Sequence, residues 1–139
     1  MLQKQTVFSV QTNGAGFTDI TAPVCDFVRR SDIRTGLLTV FMTHTSASLT
    51  IQENSDPAVL RDLQTFFDRA VKHDNSLYTH TLEGEDDMPA HIRTALTTVS
   101  IGIPVSRGIP VLGRWQAVYV WEHRDEPRIR NIVLHLIGD

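Results

Sequence analysis

Residues 100–137, SIGIPVSRGIPVLGRWQAVYVWEHRDEPRIRNIVLHLI, read as three β-strands in succession. Ser100–Val105, Arg114–His123 and Arg128–Ile137 are rich in valine, isoleucine and aromatics, and glycine- or proline-bearing segments part them. Side chains alternate across a strand. In the middle strand Trp115, Ala117, Tyr119 and Trp121 therefore share one face, and Gln116, Val118, Val120 and Glu122 the other. The aromatic face predicts packing against a second sheet or a helix. Residues 105–114, around Arg107-Gly108, read as a hairpin loop.

Outward from this block, residues 3–11 have strand character, and Asn13-Gly14-Ala15-Gly16 is a turn signal. Phe17–Ile20 reads as a short strand. Thr21 is placed as the cap of a helix with Pro23 in its first turn and Val24, Phe27 and Val28 on one side. Leu37–Met42 reads as a buried strand ending near His44, and Ser48–Gln52 as a strand after a bend. The clearest helix lies at 57–72. Ser55 or Asp56 caps it, Pro57 suits its first position, and Val59, Leu60, Leu63, Phe66, Phe67, Ala70 and Val71 form an apolar stripe. Residues 73–87 are mostly loop, and a short helix is expected at 89–98. The sum is one α+β domain over 1–139, largely antiparallel sheet with two or three helices.

Composition narrows the function classes. The 139 residues are 41% hydrophobic and 21% charged, as in an ordinary globular domain. The net charge of −3 disfavours nucleic acid as a partner, because basic excess drives that binding. The single cysteine, Cys25, excludes an intramolecular disulfide and a thiolate-rich metal site, and fits a reducing compartment. With no signal-like start and no long apolar run, the expectation is a soluble cytoplasmic protein that does not span a membrane. No P-loop or dinucleotide loop is present, so no nucleotide cofactor is expected.

The chemistry concentrates between His44 and His91. His44-Thr45-Ser46 follows the buried strand, and Glu53-Asn54-Ser55-Asp56 follows the next. His80–His91 holds two histidines and the carboxylates Glu83, Glu85, Asp86 and Asp87. Imidazole with carboxylate suits zinc, manganese or iron, yet no HExxH or CxxC spacing occurs. In a helix starting near Met88, Asp87 and His91 share one side. Ser46 and Ser48 lack the G-x-S-x-G setting of a nucleophile. Arg114-Trp115-Gln116 forms a second polar cluster.

The segments HTSASLTIQENSDPAVLRDL (44–63), EGEDDMPAHIRTAL (83–96) and GRWQAVYVWEHR (113–124) together resemble the YjbQ family, described as secondary thiamine-phosphate synthases. The resemblance implies packed mixed or antiparallel sheets in a homotrimer. It implies weak activity joining a pyrimidine diphosphate to a thiazole phosphate, with a small phosphorylated heteroaromatic ligand. Arg114 and Ala117 depart from the threonine and glycine common there. On this basis His44, Glu53, Asp87 and His91 are the catalytic candidates. Thr45, Ser46, Asn54, Arg114, Trp115 and Gln116 are the substrate-binding ones. His44, His80 and His91 are expected to hold a divalent metal (zinc, manganese or magnesium). The alternatives are a trimeric ligand- or metal-binding protein without turnover, and a purely structural role for these polar residues in the trimer contact.

Overall fold

The computed structural model describes residues 1–139. The elements are β1 (Leu2–Gln11), β2 (Gly16–Asp19), α1 (Thr21–Arg30), β3 (Thr35–Met42), β4 (Ala47–Glu53), α2 (Pro57–Ala70), α3 (Asp87–Leu96), β5 (Ser100–Ser106), β6 (Ile109–Pro110), β7 (Gln116–Glu122) and β8 (Ile129–Gly138). One 3-10 turn, Asn75–Leu77, interrupts the loop before α3.

Two sheets form, both antiparallel throughout. The larger has the order β1-β8-β3-β5-β6 and the smaller β2-β7-β4. The α+β architecture expected from the sequence is therefore the one observed. Alternation sends Leu38, Val40 and Met42 of β3, Ile101 and Ile103 of β5, and Ile132, Leu134 and Leu136 of β8 inward. They meet Leu49 of β4, Val118 and Val120 of β7, and Val24 and Val28 of α1 in one core. The opposite face of the large sheet is open, and Val7, Leu37 and Phe41 are each about half exposed on it.

α2 lies against the outer face of the small sheet. Phe67 meets Trp121 edge-on at 5.0 Å, and Trp121 Nε1 donates to Gln64 Oε1 at 3.0 Å. Phe17 stacks on the same indole at 4.5 Å. Three strands are too narrow to cover the whole stripe, so no residue of α2 is fully buried. Asp56 is its cap, accepting from Ala58 N at 2.9 Å.

Three local expectations are corrected. Thr21 does not cap α1. Asp19 Oδ1 accepts from Thr21 N at 2.8 Å, and the Thr21 hydroxyl accepts from Val118 N at 2.9 Å, tying the helix to β7. α3 begins at Asp87, two residues early, because Pro89 fits the first turn, where amides need no intrahelical partner. Arg114 and Trp115 precede β7 rather than opening it. Gln116 N donates to Gly113 O at 3.1 Å and Gly113 N to Gln116 Oε1 at 2.7 Å, closing a turn that leaves Trp115 outside the aromatic face.

Candidate functional site

α3 starts at the rim of the small sheet and projects Asp87 into the protein, where it is 2% exposed. Asp87 Oδ2 lies 2.7 Å from His80 Nε2 and 3.3 Å from His91 Nε2, one helical turn along. The ligating atoms of His80, Asp87 and His91 all lie within 4.8 Å of one another. His91 Nδ1 lies 3.1 Å from the carbonyl oxygen of Thr45. A carbonyl only accepts, so Nδ1 carries the proton, and in the neutral ring Nε2 presents a lone pair toward Asp87.

Arg124, at the end of β7, fixes the loop that carries these groups. Its Nη1 donates to Asp87 Oδ1 at 2.7 Å, its Nε to Asp86 Oδ2 at 2.9 Å, and its Nη2 to Glu83 O at 2.9 Å. Burial works against ionisation of Asp87. The hydrogen bond from His80 and the charge of Arg124 outweigh it and hold the carboxyl below its usual range. Asp86 is treated the same way: burial raises it, and the Arg124 hydrogen bond brings it lower. Two carboxylates of this acidic loop are thus already paired with one guanidinium.

Behind the loop lies a buried ion pair. Glu122 is fully buried and Arg130 is 4% exposed. Arg130 Nε donates to Glu122 Oε1 at 2.8 Å, its Nη2 donates to Oε2, and Thr12 Oγ1 donates to Oε1 at 2.7 Å. Glu122 Oε2 accepts the backbone N–H groups of His123 and Arg124, each at 3.1 Å. Arg130 Nη2 also donates to Ser46 O and Oγ. One pair therefore sets both Arg124 and the Thr45–Ser46 segment.

His123, beside it, is 0% exposed, and its Nε2 meets Ser48 Oγ at 2.9 Å. Both side chains are closed to solvent, so this serine–histidine contact is structural. Burial first, and then the charge of Arg93, bring the His123 pKa from 6.5 to about 3. The unfolded chain takes up this proton below about pH 6.5, whereas the folded chain does not until about pH 3. Stability from this group is therefore complete above pH 6.5 and is lost as pH falls from there. Urea unfolding is expected to show a steadily lower midpoint from pH 6.5 to 4.5. His123→Gln, which cannot take up a proton, is expected to flatten that slope.

The residues expected to form the site fall into groups. His80, Asp87 and His91 converge, and Thr45 and Ser46 adjoin them through the His91 and Arg130 contacts. His44 is not in the cluster: its Nε2 accepts from Asn131 N at 2.9 Å. Glu53, Asn54, Arg114, Trp115 and Gln116 lie at the opposite end of the β4–β7 pair, since Ala47 is paired with Glu122 and Glu53 with Gln116. Six residue steps of strand separate the two ends by roughly 20 Å. There Glu53 Oε2 accepts from Asp56 N, Asn54 N donates to Trp115 O, and the Arg114 guanidinium sits 4.8 Å over the Trp115 ring. Arg124 and Arg130 were missed by the sequence reading. Arg130 left a signal: it falls in phase with the inward-facing Ile132, Leu134 and Leu136, where a charge requires a partner.

The family model described as UPF0047 protein YjbQ-like matches residues 6–139. The chain belongs to the YjbQ family. UPF0047 protein sll1880 of Synechocystis is 47% identical over 137 residues, 99% of this chain and 93% of that protein. YjbQ of Salmonella typhimurium is 39% identical, with 97% of this chain and 98% of that protein covered. The solved structure of a YjbQ/UPF0047 family protein from Clostridium acetobutylicum, named as uncharacterised, superposes with a TM-score of 0.86 at 34% identity, covering 95% of this chain and 99% of that one. A YbjQ-like protein of unknown function from Sulfolobus solfataricus shares the fold at a TM-score of 0.85 and 22% identity, over 99% of this chain and 100% of that one. YjbQ-family membership thus covers the whole α+β domain, and no helix in it is long and apolar enough to cross a membrane.

Proposed function

We propose that His80, Asp87 and His91 hold a divalent metal and that this centre acts on a phosphorylated small ligand. The observation that carries the reading is the contact between His91 Nε2 and Asp87 Oδ2 at 3.3 Å. With Nδ1 turned to Thr45, Nε2 of the neutral ring presents a lone pair to the Asp87 carboxylate, and a metal cation placed between them would be bound by both, where otherwise the proton of an imidazolium would fill the contact. Two imidazoles and one carboxylate suit zinc, manganese or iron and leave positions open for a ligand. Such a metal would neutralise charge on a departing diphosphate. The chain's own groups do the rest. Thr45 fixes the His91 tautomer. Arg124 aims Asp87 and removes much of the acidic loop's repulsion for an anion. A metal takes the Nε2 lone pair of each imidazole and a carboxylate oxygen, all in their deprotonated forms, so metal affinity rises with pH. Elemental analysis of untagged, chelator-free protein tests this: about one metal per chain supports it, and a chain that stays metal-free when metals are added back sinks it.

The reaction that fits best is the transfer the resemblance implies. The bond from the pyrimidine methylene carbon to oxygen breaks, diphosphate leaves with the electron pair, and the thiazole nitrogen bonds to that carbon. A second reading, binding without turnover, is favoured by Arg124 itself. Its Nε, Nη1 and Nη2 already donate within the chain, so it orients the loop rather than clamping a phosphate. Product formation that saturates and disappears in His91→Ala separates the first reading from ligand stabilisation without product.

A homotrimer is part of this proposal. Val7 and Phe41 both stand opposite Val133, so the exposed apolar residues line up across the large sheet's open face. Such a face favours burial against another copy. Sedimentation equilibrium is expected to give three times the chain mass, and the double variant Val7→Lys, Leu37→Glu one chain mass.

A further inference from the structure

We infer that the cavity between α2 and α3 binds a small zwitterion of the α-amino acid class, with Arg93 taking its carboxylate and the Asp68 and Asp125 carboxylates its ammonium. The cavity has a volume of about 520 Å³, within the range of small-molecule sites. Gln64 and Asp68 of α2, His73 beyond its end, Arg93 of α3, Asp125 after β7 and Ala15 in the turn before β2 line it. Arg93 follows His91 by two residues, just over half a turn, so it points away from the metal cluster. The cavity opens beside the small sheet and its helices, on the other side of the core from the apolar face assigned to a second copy.

Arg93 is the deciding residue. It is 2% exposed, and a buried guanidinium is costly unless its N–H groups are paired. Here one nitrogen does all the pairing. Nη2 lies 3.2 Å from Asp68 Oδ1 and donates to Val71 O at 3.3 Å, both long for contacts of a charged donor. Nε is sealed in and pairs with nothing. Nη1 also pairs with nothing in the chain but, unlike Nε, is not sealed from solvent. Its two N–H groups are therefore available to an anionic oxygen in the cavity.

The two carboxylates decide what kind of anion fits. Asp68 Oδ1 accepts from Gln64 Nε2 at 3.0 Å, which leaves Oδ2 without a partner. The backbone N of Asp125 donates to Asp86 Oδ2 at 2.9 Å, so this residue is held in place while its own carboxylate has no partner in the chain. Two carboxylates beside one guanidinium repel a simple anion, and a simple cation leaves the Nη1 donors unused. A ligand carrying carboxylate and ammonium on one carbon complements both.

L-alanine, propionate and ethylammonium are a matched set of probes: propionate lacks the ammonium and ethylammonium lacks the carboxylate. Each is titrated into the full chain at pH 7, with chemical shifts read by NMR. Alanine is expected to give saturable shifts at Gln64, Asp68, Arg93 and Asp125. The other two are expected to bind about tenfold or more weakly, the worth of one charge-assisted contact. Arg93→Met is expected to abolish alanine binding. The double variant Asp68→Asn, Asp125→Asn changes exposed positions and keeps an acceptor for Arg93, and it is expected to bind alanine and propionate alike. Should Arg93→Met not fold, Ala15→Trp, at an exposed turn position, closes the cavity instead and is expected to abolish binding. No saturable shifts at these residues, propionate binding to wild type as tightly as alanine, or alanine binding that survives Ala15→Trp would each overturn the proposal. So would shifts centred on His80 and His91, which mean chelation of a metal there by alanine. Metal content is expected to be unchanged in Ala15→Trp, so this proposal and the metal reading fail separately.

Discussion

Asp87→Asn is expected to take the chain from about one bound divalent metal to almost none, with affinity lower by about 100-fold or more. Even partners of metal ligands change affinity by 10- to 100-fold, and Asp87 is the member that both histidines face. Asparagine keeps the volume at a position only 2% exposed, so the fold survives. It removes the charge that opposes the cation and one pairing partner of Arg124, which retains Asp86. His91→Ala is expected to behave in the same way, and His44→Phe to retain full metal content, because His44 lies outside the cluster. Thermal unfolding gives an independent readout. A metal at 100 times its dissociation constant stabilises by about 2.7 kcal/mol, and that increment vanishes in Asp87→Asn. Equal metal content in wild type and Asp87→Asn would remove this residue from the site. Loss of metal in His44→Phe would return His44 to it.

The second large effect is expected at Glu122. Glu122→Gln leaves the Arg130 guanidinium buried without its counter-charge, and breaking a buried pair from one side costs about 3–5 kcal/mol. That is a large share of the roughly 5–15 kcal/mol that holds a typical domain folded. Removing both charges is expected to cost far less. The double variant Glu122→Leu, Arg130→Met leaves no orphaned ion and is expected to recover most of the stability, though its Thr12 and Ser46 contacts are lost. Urea unfolding of Glu122→Leu alone, Arg130→Met alone and the double variant yields the coupling energy. A Glu122→Gln protein as stable as wild type would mean that the pair contributes nothing. Burial raises the Glu122 pKa, but the Arg130 hydrogen bond outweighs it and the carboxyl stays below its usual range. The pair is therefore intact above the ordinary carboxyl range and fails only as pH falls below it. Because Glu122 also holds the amide of Arg124, metal affinity should fall in Glu122→Gln as well.

Much of the fold could be read from periodicity. Val118 and Val120 alternate into the core as expected, and Asp56-Pro57 begins α2 as that pair suggests. The errors were local competitions. Thr21 has two uses for its hydroxyl, and the amide of Val118, distant in sequence, takes it. Trp115 carries the right residue type for the strand, but Gly113 and Gln116 close a turn around it. The site was legible in its parts. Asp87 and His91 are four apart on a helix, and that spacing by itself puts them on one side. Which third residue joins them was not, since His80 and His44 lie on different chain segments and have equal chemistry.

The sequence alone determined the local choices: which segments are strand or helix, which side of each is apolar, and that histidines and carboxylates crowd residues 80–91. These follow from backbone sterics and side-chain periodicity, which act over a few residues. Tertiary structure alone decided what meets across the chain. It paired β4 with β7 so that the two halves of the expected site stand at opposite ends of one sheet. It set Arg130 against Glu122 behind the acidic loop, and it turned the Thr45 carbonyl toward His91. Those contacts depend on how two sheets close over a shared core, and no spacing in the sequence encodes that distance.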